Sequence, residues 1–184
     1  MADSRHHSTS TITLGGGCFW CIEAVFEEVA GVIKAESGYA GGETRDPDYR
    51  AVCNGDTGHA EVVQVTYDPG MISLEELLVI FFGVHDPTTL NRQGADVGTQ
   101  YRSIILASDP EQRDAALALI KRLDADHVYD KPVVTEVAML DHFYPAEAYH
   151  QDYFRKNPGQ GYCQAVIAPK LAKFRKEFAA RVQN

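Results

Sequence analysis

Three consecutive glycines, Gly15 to Gly17, join an apolar run to an amphipathic one, and this junction limits the fold more than any other feature of the chain. The run STITL reads as a short strand entering the glycines. CFWCIEAVFEEV then spaces Ile22, Val25, Phe26 and Val29 along one helical stripe. Cys18 therefore stands at a strand-to-helix junction, behind three residues that carry no side chain.

The remaining segments follow in alternation. Gly31 closes the first helix, VIKAESGY reads as a second strand, and a long Gly-rich polar loop from Ala40 to Gly58 leads to the strand HAEVVQVTYDP. Ser73 and Glu76 form a capping-box pattern at the start of SLEELLVIFFGVH, and a second polar loop from Asp86 to Gln100 precedes the strand YRSIILA. A helix beginning near Asp109, with Pro110 in its first turn, then a strand VVTEVAML, the aromatic-rich segment YPAEAYHQDYF, the glycine loop NPGQGYC and a helical tail complete the chain. The order predicts an α+β fold, a two-layer sandwich with a ferredoxin-like βαββαβ core, extra helices and a long irregular C-terminal segment. One catalytic domain is expected over residues 1–184, with a disordered extension over about residues 1–9. Residues from about 157 to 184 are expected to form a C-terminal loop and helical tail.

At 184 residues and 45% hydrophobic content, the chain is long enough to bury a substantial core. Its net charge of -9, with no Lys/Arg block, argues against nucleic acid as a partner. Lys170, Lys173, Arg175, Lys176 and Arg181 gather near the end, as expected of a solvated helical face. No apolar run approaches the ~20 residues that span a bilayer, and the polar start lacks the apolar stretch of a signal peptide. A cytoplasmic monomer, without membrane association, is the expectation. Four cysteines, Cys18, Cys21, Cys53 and Cys163, are too few and too uneven for the disulfide framework of a small secreted domain.

A thiol is a strong nucleophile only as its thiolate, and the unpaired N–H groups and dipole of a helix N-terminus favour that anion. Cys18 occupies this position, and the preceding glycines allow close approach. Free cysteines are most often small buried hydrophobes, but a helix start behind three glycines is an unsuitable place to bury one. Phe19 and Trp20 follow directly. Trp20, the only tryptophan, lies off the apolar stripe, on the solvent side unless a pocket uses it. Aromatic walls suit an apolar group such as an S-methyl. In HAEVVQVTY, Glu61 shares its period-2 face with Val63, Val65 and Tyr67, so its carboxyl points where apolar side chains point and desolvation is expected to raise its pKa.

GGGCFWC resembles GCFWG, the signature of the A-type peptide methionine sulfoxide reductases. GYAGG, YRAVCNGDTGHAEVVQVTYDP, DVGTQYRS and the terminal GYCQ are similar to further blocks of that family, in the family's order, from about Thr11 to Phe178. Several independent blocks in order are far more specific than one short motif. The resemblance implies that the Cys18 thiolate attacks a sulfoxide sulfur, that a Cys18 sulfenic acid forms as methionine departs, and that a second cysteine condenses with it to a disulfide reduced by thioredoxin. It implies no cofactor and no metal, specificity for the S epimer, and repair of oxidised proteins, or reduction of the free amino acid, under oxidative stress. By the same resemblance, Glu61 is the acid that protonates the departing oxygen, Tyr49 and Tyr101 are hydroxyl donors to it, and Asp96 orients the site. Phe19, Trp20 and Gly17 bind substrate, and Cys163 is the resolving cysteine. A strand-end acid ordinarily points to water, and nine tyrosines offer no other basis for choosing Tyr49 and Tyr101 over Tyr39 or Tyr144.

The family's usual glycine after the tryptophan is Cys21 here, which makes a C-x-x-C pair with Cys18 and a competing redox partner to Cys163. That pair also admits a thioredoxin-like dithiol oxidoreductase, and Cys18, Cys21 and Cys53 with His59 or His150 admit a metal module. The βαββαβ order opposes the first. The scattered histidines, His59, His142 and His150 among them, oppose the second. Cys53 has no aligned role.

Overall fold

The computed structural model describes residues 8–183. Most of the extension expected over residues 1–9 lies outside the described residues. β1 (Ser10–Gly15) runs through the glycine turn into α1 (Phe19–Phe26), followed by β2 (Val32–Ala40), a short α2 (Tyr49–Cys53), β3 (Ala60–Tyr67) and α3 (Leu74–Gly83). A two-residue ladder pairs β4 (Arg92–Gln93) with β5 (Asp96–Val97) before β6 (Ile104–Ala107), α4 (Pro110–Ala125), β7 (Glu136–Met139) and β8 (Phe143–Pro145). The chain ends with α5 (Tyr153–Lys156), one π turn over Cys163–Ile167, α6 (Ala168–Glu177) and a final 3-10 turn over Ala179–Arg181.

The main sheet has the order β7-β6-β1-β3-β2-β8. Its inner strands β6, β1, β3 and β2 each run antiparallel to their neighbours among these four, and α1 and α3 connect them in the expected βαββαβ sequence. α4 then carries the chain to β7, parallel to β6. β8 closes the other edge against β2. β3, rich in β-branched residues, takes a central place and is buried on both faces along its first half. On one face Ile12, Leu14, Val63, Val65 and Ile105 form a core with Ile22, Val25 and Phe26 of α1 and Leu77, Leu78 and Phe81 of α3. Each such side chain contributes roughly 1.5–3 kcal/mol when fully buried. The opposite face carries a smaller cluster of Ala40, Ala60, Val62, Ile104 and Leu106. The helices thus cover one face, as the segment order predicts.

Three local features differ from the sequence reading. The loop from Ala40 to Gly58 contains α2, started by the Asp48 side chain accepting from Ala51 N at 2.7 Å. The aromatic-rich segment supplies the edge strand β8. Cys163 does not sit in the exposed glycine loop: it begins the π turn and is fully buried with Cys21, Ala24 and Ile167. Apolar packing against α1 outweighs the looseness of the glycines before it.

The capping box of α3 is complete, with Glu76 N donating to Ser73 Oγ at 3.1 Å and Ser73 N to Glu76 Oε2 at 3.2 Å. Ser73→Ala leaves one helical N–H without its partner and is expected to lower stability by about 1 kcal/mol. Urea unfolding should show a lower midpoint at unchanged slope.

Candidate active site

The site begins where the register of β1 and β3 places the glycine turn. Leu14 pairs with Val63, so the chain leaves β1 beside the start of β3, where Glu61 sits opposite Tyr39 of β2. A Cβ on Gly16 would lie 2.9 Å from the His85 ring. That ring cannot retreat, because it is buried and held through Nδ1 at 2.5 Å from the Phe81 carbonyl and Nε2 at 2.8 Å from Ser103 Oγ. Gly17 has φ 94, a left-handed conformation that favours glycine. Cys18 is then the N-cap residue of α1, half-buried and with no side-chain capping bond of its own.

The cap comes from another strand. Glu61 Oε1 accepts from Phe19 N, the first N–H of α1, at 3.2 Å. Glu61 is 1% exposed, and burial pushes its carboxyl up to about 8, against the lowering effect of that N–H, with the charges of Asp96 and Cys21 raising it further. The carboxyl is therefore protonated at neutral pH, in line with its place on the apolar face of β3.

The thiols depart from the simple helix-terminus argument. Cys18 is pushed well above its ordinary value, first by its S–H contact with Cys21, then by burial and by the charge of Glu61, with only the Trp20 N–H lowering it. Cys21 is lowered to about 7, by accepting from Cys18 and by the nearby Lys170 and Tyr162 hydroxyl. The helix N-terminus alone favours a Cys18 anion, but Glu61 already takes the Phe19 N–H, and of the two thiols in contact it is Cys18 that keeps its proton. All four cysteines are free.

Tyr49 and Tyr101, at the start of α2 and in the turn Thr99–Tyr101, both lie within electrostatic reach of Glu61, and Tyr101 also of Asp96 and Cys18. Burial holds both phenols above their usual range, so they are neutral donors. Asp96 accepts from the Tyr162 hydroxyl at 2.8 Å, and that hydroxyl lies 3.8 Å from Cys21 Sγ. Trp20 is neither free on the surface nor in the core: its indole N–H donates to His150 Nδ1 at 3.1 Å and its ring stacks on Tyr153 at 3.6 Å. Phe19 packs on Tyr39, and His150 fills the space between Phe19 and Tyr49. Cys53, exposed on α2, shares a hydrogen bond with Tyr49.

Tyr162 and Tyr153 join the site without having been singled out from the sequence, and His150, weighed there as a metal ligand, joins it instead as acceptor of the Trp20 indole N–H. Their nearest signal was the aromatic density of YPAEAYHQDYF and GYCQ. No Cys/His metal set converges: among the described residues the one group of ligand atoms mutually within 4.8 Å is Glu23, Glu27 and Asp152. Two clefts, of about 420 and about 530 Å³, do not have Cys18 in their linings, which include Glu27, Lys34 and Arg155 in the first and His85, Tyr129 and Lys170 in the second. The convergence of thiols, acid and phenols locates the chemistry better than cleft size does.

A family model described as peptide methionine sulfoxide reductase matches residues 10–182. The chain is 56% identical over 171 residues to the peptide methionine sulfoxide reductase MsrA of Chromobacterium violaceum, covering 93% of this chain and 97% of that one. Among solved structures it is similar to Mxr1 of Saccharomyces cerevisiae in reduced form, with TM-score 0.79 and 37% identity over 84% of this chain and 89% of that one. It is also similar to Mxr1 of Saccharomyces cerevisiae in complex with Trx2, with TM-score 0.57 and 25% identity over 83% of this chain and 92% of that one.

A glutamate whose pKa is about 8 when folded and about 4.3 when unfolded binds its proton more tightly in the folded state. Its contribution to stability is whole below about pH 4.3 and is lost as pH rises through 8. Glu61→Gln removes that loss. Urea midpoints measured at a series of pH values from acid to mildly alkaline should therefore move in the variant's favour as pH rises, and a pH-independent difference would contradict a protonated Glu61.

Proposed function

The chain belongs to the peptide methionine sulfoxide reductase family, and from that premise we propose the steps by which its residues work. It is a thioredoxin-dependent oxidoreductase that reduces methionine sulfoxide through a catalytic cysteine and repairs oxidised proteins. The observation that carries the residue assignments is the buried, protonated Glu61 hydrogen-bonded to the N–H next to Cys18.

The sulfoxide enters with its S-methyl against Phe19 and Trp20 and its oxygen toward Glu61, Tyr49 and Tyr101. Glu61 donates its proton to the oxygen, a poor leaving group until protonated. The two neutral phenols stabilise the charge that gathers there. Cys18 attacks sulfur while its own proton passes to the Cys21 thiolate, a form populated at neutral pH because the Cys18 contact, Lys170 and Tyr162 lower the Cys21 pKa to about 7. Oxygen ends on Cys18: thiol and sulfoxide become sulfenic acid and thioether, a two-electron exchange. Cys163 then condenses with the sulfenic acid, releasing water and leaving a disulfide, and a thioredoxin dithiol exchanges with that disulfide to restore both thiols. Asp96 orients the site by fixing Tyr162. Selection of the S epimer follows from which face of the sulfur the Phe19–Trp20 wall leaves open to Cys18. A reducing compartment such as the cytoplasm suits four free thiols.

One observation favours a second route for the disulfide. Cys21 touches Cys18 on one side and packs with Cys163 on the other, so a Cys18–Cys21 bond passed on to Cys163 is also geometrically served. The dithiol-oxidoreductase and metal alternatives have no comparable support.

Cys18→Ser is expected to abolish methionine formation even in a single turnover, because an alcohol is scarcely ionised and is a poor nucleophile toward sulfur. Glu61→Gln should lower the single-turnover rate by roughly 10²-fold or more with little change in substrate affinity. A loss confined to KM would remove Glu61 from the proton-donor role.

Cys163→Ser should form one equivalent of methionine and then stall with thioredoxin. Mass mapping of the wild-type protein after one equivalent of sulfoxide should find Cys163 in the disulfide. Normal cycling of Cys163→Ser, with Cys21→Ser stalled, would assign resolution to Cys21 instead.

A further inference from the structure

Behind the Trp20 wall lies a buried polar cluster that takes no part in the steps above. Glu23, one turn beyond Trp20 on α1, is 2% exposed. Its Oε2 accepts from the Ser37 hydroxyl of β2 at 2.7 Å and its Oε1 from the backbone N–H of Asp152 at 2.6 Å. Asp152 has φ 54, a left-handed conformation that a non-glycine residue keeps only where its surroundings hold it. Gln151 completes the join: its side-chain oxygen accepts from Ser37 N at 3.0 Å and its amide donates to the carbonyls of Ser37 at 2.8 Å and Ala146 at 3.2 Å.

The turn fastened in this way separates His150 from Tyr153. His150 receives the Trp20 indole N–H, and Tyr153 covers the Trp20 ring. A carboxylic acid taken out of water is destabilising unless its oxygens are satisfied, and here one is spent on the Ser37 hydroxyl of β2 and the other on the backbone N–H of Asp152, so that the carboxyl ties the turn to the sheet. The residues on the two sides of that piece make the two contacts that fix Trp20.

We propose that Glu23 is a positioning residue for sulfoxide binding: by clasping Ser37 and the backbone of Asp152 it holds the turn that sets His150 and Tyr153 against Trp20, and so keeps the aromatic wall that receives the S-methyl group in place. The inference rests on the reading of Trp20 as a substrate wall. Glu23 touches no reacting atom. Its loss acts on binding through Trp20 and leaves Cys18 and Glu61 with their own partners.

Trp20 is the only tryptophan, so its emission reports the wall directly, whether or not the protein turns over. Glu23→Asp, Glu23→Ala and Glu23→Gln are compared by tryptophan emission, acrylamide quenching and steady-state kinetics on methionine S-sulfoxide with dithiothreitol. The shorter Asp cannot reach both partners. Asp and Ala are expected to raise KM by about fivefold or more with kcat changed less than about twofold, to shift emission to the red and to increase quenching. Gln, which keeps an acceptor for Asp152 N and a donor for Ser37 Oγ, should stay within about twofold of wild type.

A folded Glu23→Asp with wild-type KM and emission would overturn the proposal, as would a fall in kcat at unchanged KM. If neither Asp nor Ala folds, Ser37→Ala, which frees one of the two carboxyl oxygens, must show the same red shift and rise in KM to a smaller extent, and wild-type behaviour there overturns it too. Inactivity of the wild-type protein would instead count against the reductase reading, while the emission comparison would still decide the clasp.

Discussion

The hydrogen bond from Phe19 N to Glu61 is the contact on which the rest of the site depends. It ties the central strand of the sheet to the first turn of the helix capped by Cys18, the proposed nucleophile. A carboxyl from β3 can reach that N–H only if the chain passes from β1 to α1 without side chains in between. His85 and Gln93 lie where Cβ atoms on Gly16 and Gly17 would go. The glycine run, the register of β1 on β3 and the burial of Glu61 are therefore one constraint seen from three sides. Removing the carboxyl would leave a buried helix N–H unpaired as well as a site without an acid.

This arrangement also sets the resting charge. Two anions side by side under a low-dielectric cover are costly, and the site avoids them by keeping protons on Glu61 and Cys18 and allowing Cys21 the lowered pKa. Charge then develops where a bound sulfoxide presents an oxygen to receive a proton and a sulfur to receive electrons. The helix dipole, which in isolation favours a thiolate at Cys18, is partly answered by Glu61 before any substrate arrives. An aromatic surround of Phe19, Trp20, Tyr49 and His150 keeps water out and gives the phenols little competition for that oxygen.

Much of this was legible in the sequence because it is written in short-range pattern. The strand–glycine–helix junction at Gly15 to Gly17, the Ser73/Glu76 box and the period-2 face of Glu61 each depend on neighbours in the chain, and each is present as read. Glu23 was not legible in the same way. It interrupts an apolar stripe much as any solvated glutamate does, and only the fold brings Ser37 and Asp152 to it. Tyr162 looked like an ordinary aromatic-segment residue for the same reason. The Cys18 pKa was misjudged because a local rule about helix ends gave no weight to a second thiol one turn away and a carboxyl from a distant strand. β8 is three residues long and pairs with only one neighbour, too brief for any periodicity to show.

The position of Cys163 joins the chemistry to the fold's least regular element. It is fully buried, yet in the proposed cycle a disulfide that includes it has to meet a thioredoxin dithiol. The turn that begins with Cys163 is of π type, a rare helical form that occurs mostly as single turns. The residues before it include Gly159 and Gly161, where an added Cβ would meet nothing within 4 Å. A segment with strong packing on its far side and open space on its near side can release the first turn without disturbing α6, whose Leu171 and Phe174 stay in the main core. In the proposed cycle, burial keeps the Cys163 thiol out of solution until a sulfenic acid on Cys18 gives it a partner. Under that proposal, bonding to Cys18 exchanges the apolar contacts that hold the turn closed for a covalent one, and that exchange would bring sulfur within reach of a reductant.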